Sequence, residues 1–430
     1  MANVPTLAVD DIDLSDLQFW GQPPSGRLAS FALLRAERHL PFFEEPEMGD
    51  GSGLVLPRGP GYYAVTRHAD VVEVTRNSEV FCSGKGALSI IDLPEELMAY
   101  FAGMISTDNP RHARLRRIVS AAFNPKHIRS IEHTIEEAAS RLIDRAADLG
   151  ECDFVTNFAA PLSLEIICDM MGVPESERST VFRCSNEIIY ADDAEFVSQD
   201  ADHLATMLSA GHEITALMGD VVAHHKAHPA DDLTTALTSS NIDGESLTQA
   251  ELASFFILLL TAGNETTRNS LSTGLLLLSE HRDQRAIWNA DPTGVAATGV
   301  DEIVRLAAPV NWTRRTATED TVLAGQELRA GDKVLLIYGS ANRDEAVFDD
   351  PTGFDVLRNP NPHLSFGAAG PHFCLGAHLA RMEIGVMLRE LLVRLPDIEV
   401  NGEPDWALSR LVTGIKHLPC RFTPVGPATG

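Results

Sequence analysis

The stretch FGAAGPHFCLG, Phe366–Gly376, decides how this chain is read. One Cys stands among three glycines, with His372 two places before it and Gly376 two after. A thiolate binds iron and the softer metals. It needs a lowered pKa to exist at neutral pH, and the start of a helix lowers it through unpaired N–H groups and the positive dipole end. A helical pattern begins at Leu375. Gly367, Gly370 and Gly376 let backbone approach a flat, bulky ligand. A single Cys with no second sulfur nearby points to a metal whose other ligands come from a cofactor, and haem is the natural one. Read alone, the stretch is equally compatible with a buried Cys in a glycine-rich loop.

Working outward, TAGNETTRN (Thr261–Asn269) puts an acid and an alcohol, Glu265 and Thr266, into the apolar face of a long helix. Thr is a poor mid-helix residue, because its hydroxyl bonds back to the carbonyl one turn earlier. Gly263 weakens the helix further. Such local faults gather at functional sites, although a polar helix face against another element explains the run as well. The helix opens at Thr248 with a capping box to Glu251 and is expected over 248–281. A second is expected over 375–395. Between them, Glu302 and Arg305 share a helix face, a common arrangement that carries little alone.

Composition narrows the rest. The chain has 430 residues, 44% of them hydrophobic, and a net charge of −27. That balance argues against nucleic acid or an anionic membrane surface as main partner. The richest apolar stretch, 254–260, is too short and too soon interrupted for a membrane anchor. Neither a secretory signal nor a disulfide or zinc spacing is visible among the six cysteines, which fits the cytoplasm. Mostly helical periodicity, with strand-like pieces at YYAV, TVLAGQELRAGDKVLLIYG and the C-terminal end, predicts a mainly α fold with a minor β region. It reads as a single domain over 1–430, with residues 1–20 as an N-terminal extension. HHKAH (His224–His228) reads as a polar helix end.

Cys374 in its loop, AGNETT and ExxR, in their order along the chain, together resemble the cytochrome P450 family of haem-thiolate monooxygenases. NPRHARLRR (109–117), SANRDEAVFDDPTGFDVLRNP (340–360) and TGIKHLP (413–419) extend the resemblance over nearly the whole chain. It implies haem b between a long distal helix and the proximal Cys-loop helix. Cys374 would be the axial thiolate and Phe366 would shield it, with Ala262 and Gly376 also against the haem. His112, Arg116, Arg315 and His372 match positions that contact the haem propionates. Glu302, Arg305 and Arg358 match a structural network. Glu265 and Thr266 match the acid–alcohol pair that relays protons during O2 activation, and Ala262 and Gly263 would leave room for oxygen.

The spacing from Phe366 to Cys374 is one residue longer than the general family pattern. It matches an actinobacterial subgroup that includes hydroxylases of methyl-branched lipids and sterol side chains, as do PLSLEIICDMMGVPE (161–175) and RNPNPHLSFG (358–367). The resemblance therefore implies terminal (omega) hydroxylation of a methyl-branched lipid or isoprenoid. A steroid or secondary-metabolite hydroxylase is the alternative, and a non-catalytic haem or gas-binding protein the reading from another class. Ile90, Leu258, Thr261, Ala262, Val310, Thr313 and Val412 would line the substrate pocket, with 84–105 as a movable lid. Electrons would come from NAD(P)H through a reductase and ferredoxin. Arg111, Arg114 and Arg117, in a run to Arg129 that holds no acid, would dock the ferredoxin. The expected state is a monomer.

Overall fold

The structure, a computed structural model, describes residues 7–37, 40–46, 57–122, 125–240 and 244–425, with the side chains of 121–130 left out. Lys126 and Arg129 of the basic run therefore lie outside the described side chains.

The helix Gln249–Glu280 runs through the centre and is buried on nearly every side. Its start is as expected: Glu251 N donates to Thr248 Oγ1 (3.2 Å) and Thr248 N to Glu251 Oε2 (3.0 Å). A helix buried all round needs apolar residues on all faces. Between Phe255 and Leu260 it has them, whereas Asn264, Glu265, Arg268 and Asn269 are buried polar groups that must find partners inside. The helices Ala160–Met171, His203–Ala227, Ala296–Ala307 and Ala377–Arg394 pack around it. The first of these, Ala160–Met171, ends at Gly172 in the left-handed conformation (φ 68°), where a side chain is disfavoured. No helix among the described residues is long and apolar enough to cross a membrane.

The main sheet has five strands, in spatial order Phe42–Phe43, Tyr62–Val65, Lys333–Ile337, Trp312–Ala317 and Phe81–Cys82. Only the pair Tyr62–Val65 with Lys333–Ile337 is parallel. Strand alternation sends Arg314 and Arg315 to opposite faces. The architecture is thus mainly α with small sheets, as the sequence predicts. Residues 7–20 are less an extension than expected. Leu14 and Trp20 are buried in the cluster beneath the sheet, and Trp20 Nε1 donates to Leu14 O (2.8 Å).

Candidate functional site

The loop 366–376 folds back on itself, with Cys374 N donating to Phe366 O (2.9 Å). Gly367 adopts φ 81°, and a Cβ on Gly370 would lie 2.6 Å from Thr75 O, so both positions require glycine. The helix begins at Ala377 with Gly376 as its cap. Cys374 is exposed, whereas Cys82, Cys168, Cys184 and Cys420 are buried. Desolvation by the surrounding protein nonetheless pushes its thiol up. The Gly376 N–H and the guanidinium groups of Arg116 and Arg381 work the other way. Phe366 is half-buried under the Arg381 guanidinium, 4.4 Å from its ring centroid.

Beside this loop, four donors converge without an acid to meet them. The rings of His112 and His372 stand 4.1 Å apart. Burial, then Arg315, His112 and Arg116, push the His372 imidazole down to about 3, so it stays neutral. Burial and Arg116 also lower His112, whose buried Nε2 has no partner among the described residues. Arg315 is 5% exposed and, among the described residues, donates only to Arg314 O (2.7 Å). The nearby carboxylate, Asp108, is occupied by the Ser83 and Gly84 N–H groups. Among the described residues no carboxylate lies within ion-pair distance of Arg116 or Arg315. Buried cations without counter-charge are costly. An anionic group carrying carboxylates beside Cys374 satisfies them, and haem with its two propionates fits this donor set.

Above lies a cavity of about 810 Å³ lined mainly by apolar side chains. Its floor is the central helix at Leu258, Thr261, Ala262, Glu265 and Thr266, and Ile90, Val310 and Val412 form further walls. Val310 and Val412 face each other in an isolated β-bridge. Thr313 is a correction: it does not line the cavity, because its hydroxyl is bound to Tyr338 OH (2.7 Å). Gly263 is another, since it turns to the neighbouring helix, where a Cβ would come within 3.2 Å of Ile167 Cδ1. Of that pair only Ala262 borders the cavity. Met98, Phe101, Leu204 and Met207 also line it. Their helical spacing is visible in the sequence, but not which way it faces.

Thr266 Oγ donates to Ala262 O (2.9 Å), leaving its lone pairs to the cavity. Glu265 is buried and paired with Arg268. Burial pushes its carboxyl up, and Arg268 opposes the shift. Arg268 in turn donates to Tyr190 OH (3.0 Å) and Asn186 Oδ1 (3.2 Å).

The three-residue spacing of Glu302 and Arg305 produces a fully buried bidentate pair, 2.7 Å at both contacts. Arg358 Nε lies 3.1 Å from both Glu302 oxygens, and Asn361 Nδ2 and Asp355 N also donate to them. Burial opposes ionisation of Glu302, but Arg305 and Arg358 outweigh it and hold its carboxyl below the usual range. Arg305 and Arg358 bind the carbonyls of Asn342, Pro351, Gly353, Asp349 and Asp350. The network ties the 340–360 meander to the helix Ala296–Ala307.

The basic run differs from expectation. Arg114 donates to Glu251 (2.9 Å) and to Ser246 O, Arg117 to Glu245 (2.8 Å), and Arg111 stands 3.7 Å from Glu251. The acids missing from the local sequence arrive from the start of the central helix, at Glu251, and from the segment before it, at Glu245. Arg114, a quarter exposed, is thereby paired within the chain.

A cysteine loop beside unpaired cations, under an apolar cavity with an acid and alcohol in its floor, defines a haem-thiolate monooxygenase. A family model described as cytochrome P450 matches residues 297–400. A methyl-branched lipid omega-hydroxylase of Mycobacterium tuberculosis is 44% identical over 427 residues, 97% of this chain and 96% of that protein. A steroid C26-monooxygenase of Rhodococcus jostii is 40% identical over 392 residues, 90% of this chain and 80% of that one. A Mycobacterium marinum cytochrome P450 solved in complex with pseudoionone superposes with a TM-score of 0.89 at 40% identity, covering 97% of this chain and all of that one. The chain belongs to the cytochrome P450 family.

Proposed function

We propose that this monooxygenase hydroxylates the terminal carbon of a methyl-branched lipid or isoprenoid. The observation that carries the reading is the cavity: about 810 Å³, mainly apolar, and floored by Ala262 and Thr266. A cavity of that size and lining suits a lipid chain. The 44% identity to the methyl-branched lipid omega-hydroxylase, over almost the full length of both chains, supports it.

Haem, when bound, supplies the activation of O2. Cys374 is the residue to ligate it, and His112, Arg116, Arg315 and His372 are those to hold its carboxylates. The chain's own work is proton management and shape. Thr266 presents hydroxyl lone pairs to the cavity beside the small Ala262. Glu265, one residue away, exchanges protons between the cavity and the Arg268–Tyr190 cluster behind it. The cavity walls exclude water from the reacting carbon.

In this reading the protein works in the cytoplasm as a monomer and receives electrons from NAD(P)H through a reductase and ferredoxin. Sterol side-chain hydroxylation is the second reading, favoured by the similarity to the steroid C26-monooxygenase. Titrating the holoenzyme with methyl-branched fatty acids, linear terpenoids and sterols, and following the haem spin state, tests the two. Tight saturation by branched lipids supports the first, and saturation by sterols alone overturns it.

A further inference from the structure

The segment 84–105, expected to serve as a movable lid, opens with a part tied to the sheet by two buried cations. Arg314 N donates to Ala87 O (2.9 Å), and its Nη1 lies 3.3 Å from Ser89 O and 3.4 Å from both Ile90 O and Ile91 O. Its Nη2 donates to Asp92 Oδ1 (2.6 Å). From the adjacent strand, Lys333 Nζ reaches Asp92 Oδ2 (2.9 Å), Ile90 O (3.2 Å) and Glu45 Oε1 (2.5 Å). Gly86 turns over the guanidinium at φ 122°, where a Cβ would come within 3.2 Å of Arg314 Nη1. The carbonyls so held belong to Ser89, Ile90 and Ile91, which line the cavity.

We propose that Arg314, Lys333 and Asp92 form a latch that fixes the Ser89–Ile91 wall and so sets which ligand shapes the cavity accepts. The inference rests on the cavity being the substrate site of the proposed function. Both cations are 2% exposed and Asp92 is 58% exposed. An exposed ion pair is worth little by itself. Here, however, the cations have no solvent to fall back on, so losing the carboxylate leaves buried charge under-compensated. The wall is then free to part from the strand. Arg315 points away from the latch to the cation cluster beside Cys374. One strand therefore serves both sites with adjacent residues.

Asp92→Asn keeps the shape and removes the charge, which allows a test in the holoenzyme. Imidazole, which needs only the iron and the space around it, is compared with a methyl-branched fatty acid that shifts the wild-type spin state. If no lipid shifts it, the proposed substrate class fails, and a long-tailed azole replaces the fatty acid so that the latch is still tested. The expected result is a Kd for the long ligand weakened about tenfold, with imidazole unchanged. Hydrogen exchange should quicken at the amides of 86–92 and not in the central helix. Arg314→Lys, which keeps charge but cannot span three carbonyls, should show the same dependence on ligand length, and it carries the test if Asp92→Asn fails to load haem. Equal effects on both ligands, no effect on either, or unaltered exchange at 86–92 overturns the proposal.

Discussion

Glu265 and Arg268 lie one turn apart on the central helix and form an ion pair almost sealed from solvent, at 1% and 3% exposure. A proton relay through Glu265 must therefore work against Arg268, which favours the ionised carboxylate. Removing that opposition should let burial raise the Glu265 pKa further. A depressing partner that is lost shifts the acid limb upward, so the pH–rate profile of Arg268→Gln should move to higher pH. Glu265→Gln should slow turnover about a hundredfold with the substrate-induced spin shift intact. Equal turnover in Glu265→Gln counts against the relay.

Thr266 offers the cavity a hydroxyl anchored on Ala262 O. Thr266→Ala should still bind substrate and consume NAD(P)H, but divert it to peroxide. Measuring peroxide and product against NAD(P)H consumed checks this, and unchanged coupling removes Thr266 from the mechanism.

Glu302 receives five donors from Arg305, Arg358, Asn361 and Asp355 N, at full burial. Glu302→Gln leaves Arg305 buried without its counter-charge. It should cost about 3–5 kcal/mol, seen as a lower denaturation midpoint and poor haem retention. A loss below about 1 kcal/mol, the scale of an exposed pair, contradicts the assigned role.

Arg114 is paired to the capping residue Glu251. Arg114→Gln should therefore lower stability by about 1 kcal/mol and leave the ionic-strength dependence of reduction nearly unaltered. A marked flattening of that dependence returns Arg114 to the docking surface.

His417 lies between Asp153 (2.6 Å) and Glu195 (3.0 Å), and its imidazole is raised above the usual value by those bonds. A raised folded-state pKa stabilises the fold fully below the unfolded value, near 6.5. The stabilisation is lost as pH rises through the folded value. Wild type should exceed His417→Gln in Tm by more at pH 6 than at pH 9, modestly because the ring is 44% exposed. A difference independent of pH removes the linkage.

What the sequence could show was local. The Thr248–Glu251 cap and the glycine-bearing Cys374 loop depend on neighbours along the chain, and each stands where it was expected. What it could not show depends on partners far apart in sequence. Glu245 and Glu251 neutralise Arg111, Arg114 and Arg117 from more than a hundred residues away. Glu265 finds Arg268 at helical spacing, but the Tyr190 and Asn186 behind them come from a separate helix end. Periodicity could not tell that Gly263 faces Ile167 and Thr313 faces Tyr338, because it gives a face without saying what lies opposite.

The most direct test of the account is product analysis with the reconstituted electron-transfer chain, a methyl-branched fatty acid and O2. Mass spectrometry should show one added oxygen atom at the terminal carbon, labelled when 18O2 is supplied. Oxygen at in-chain carbons only, or turnover of sterols and not of branched lipids, would contradict it.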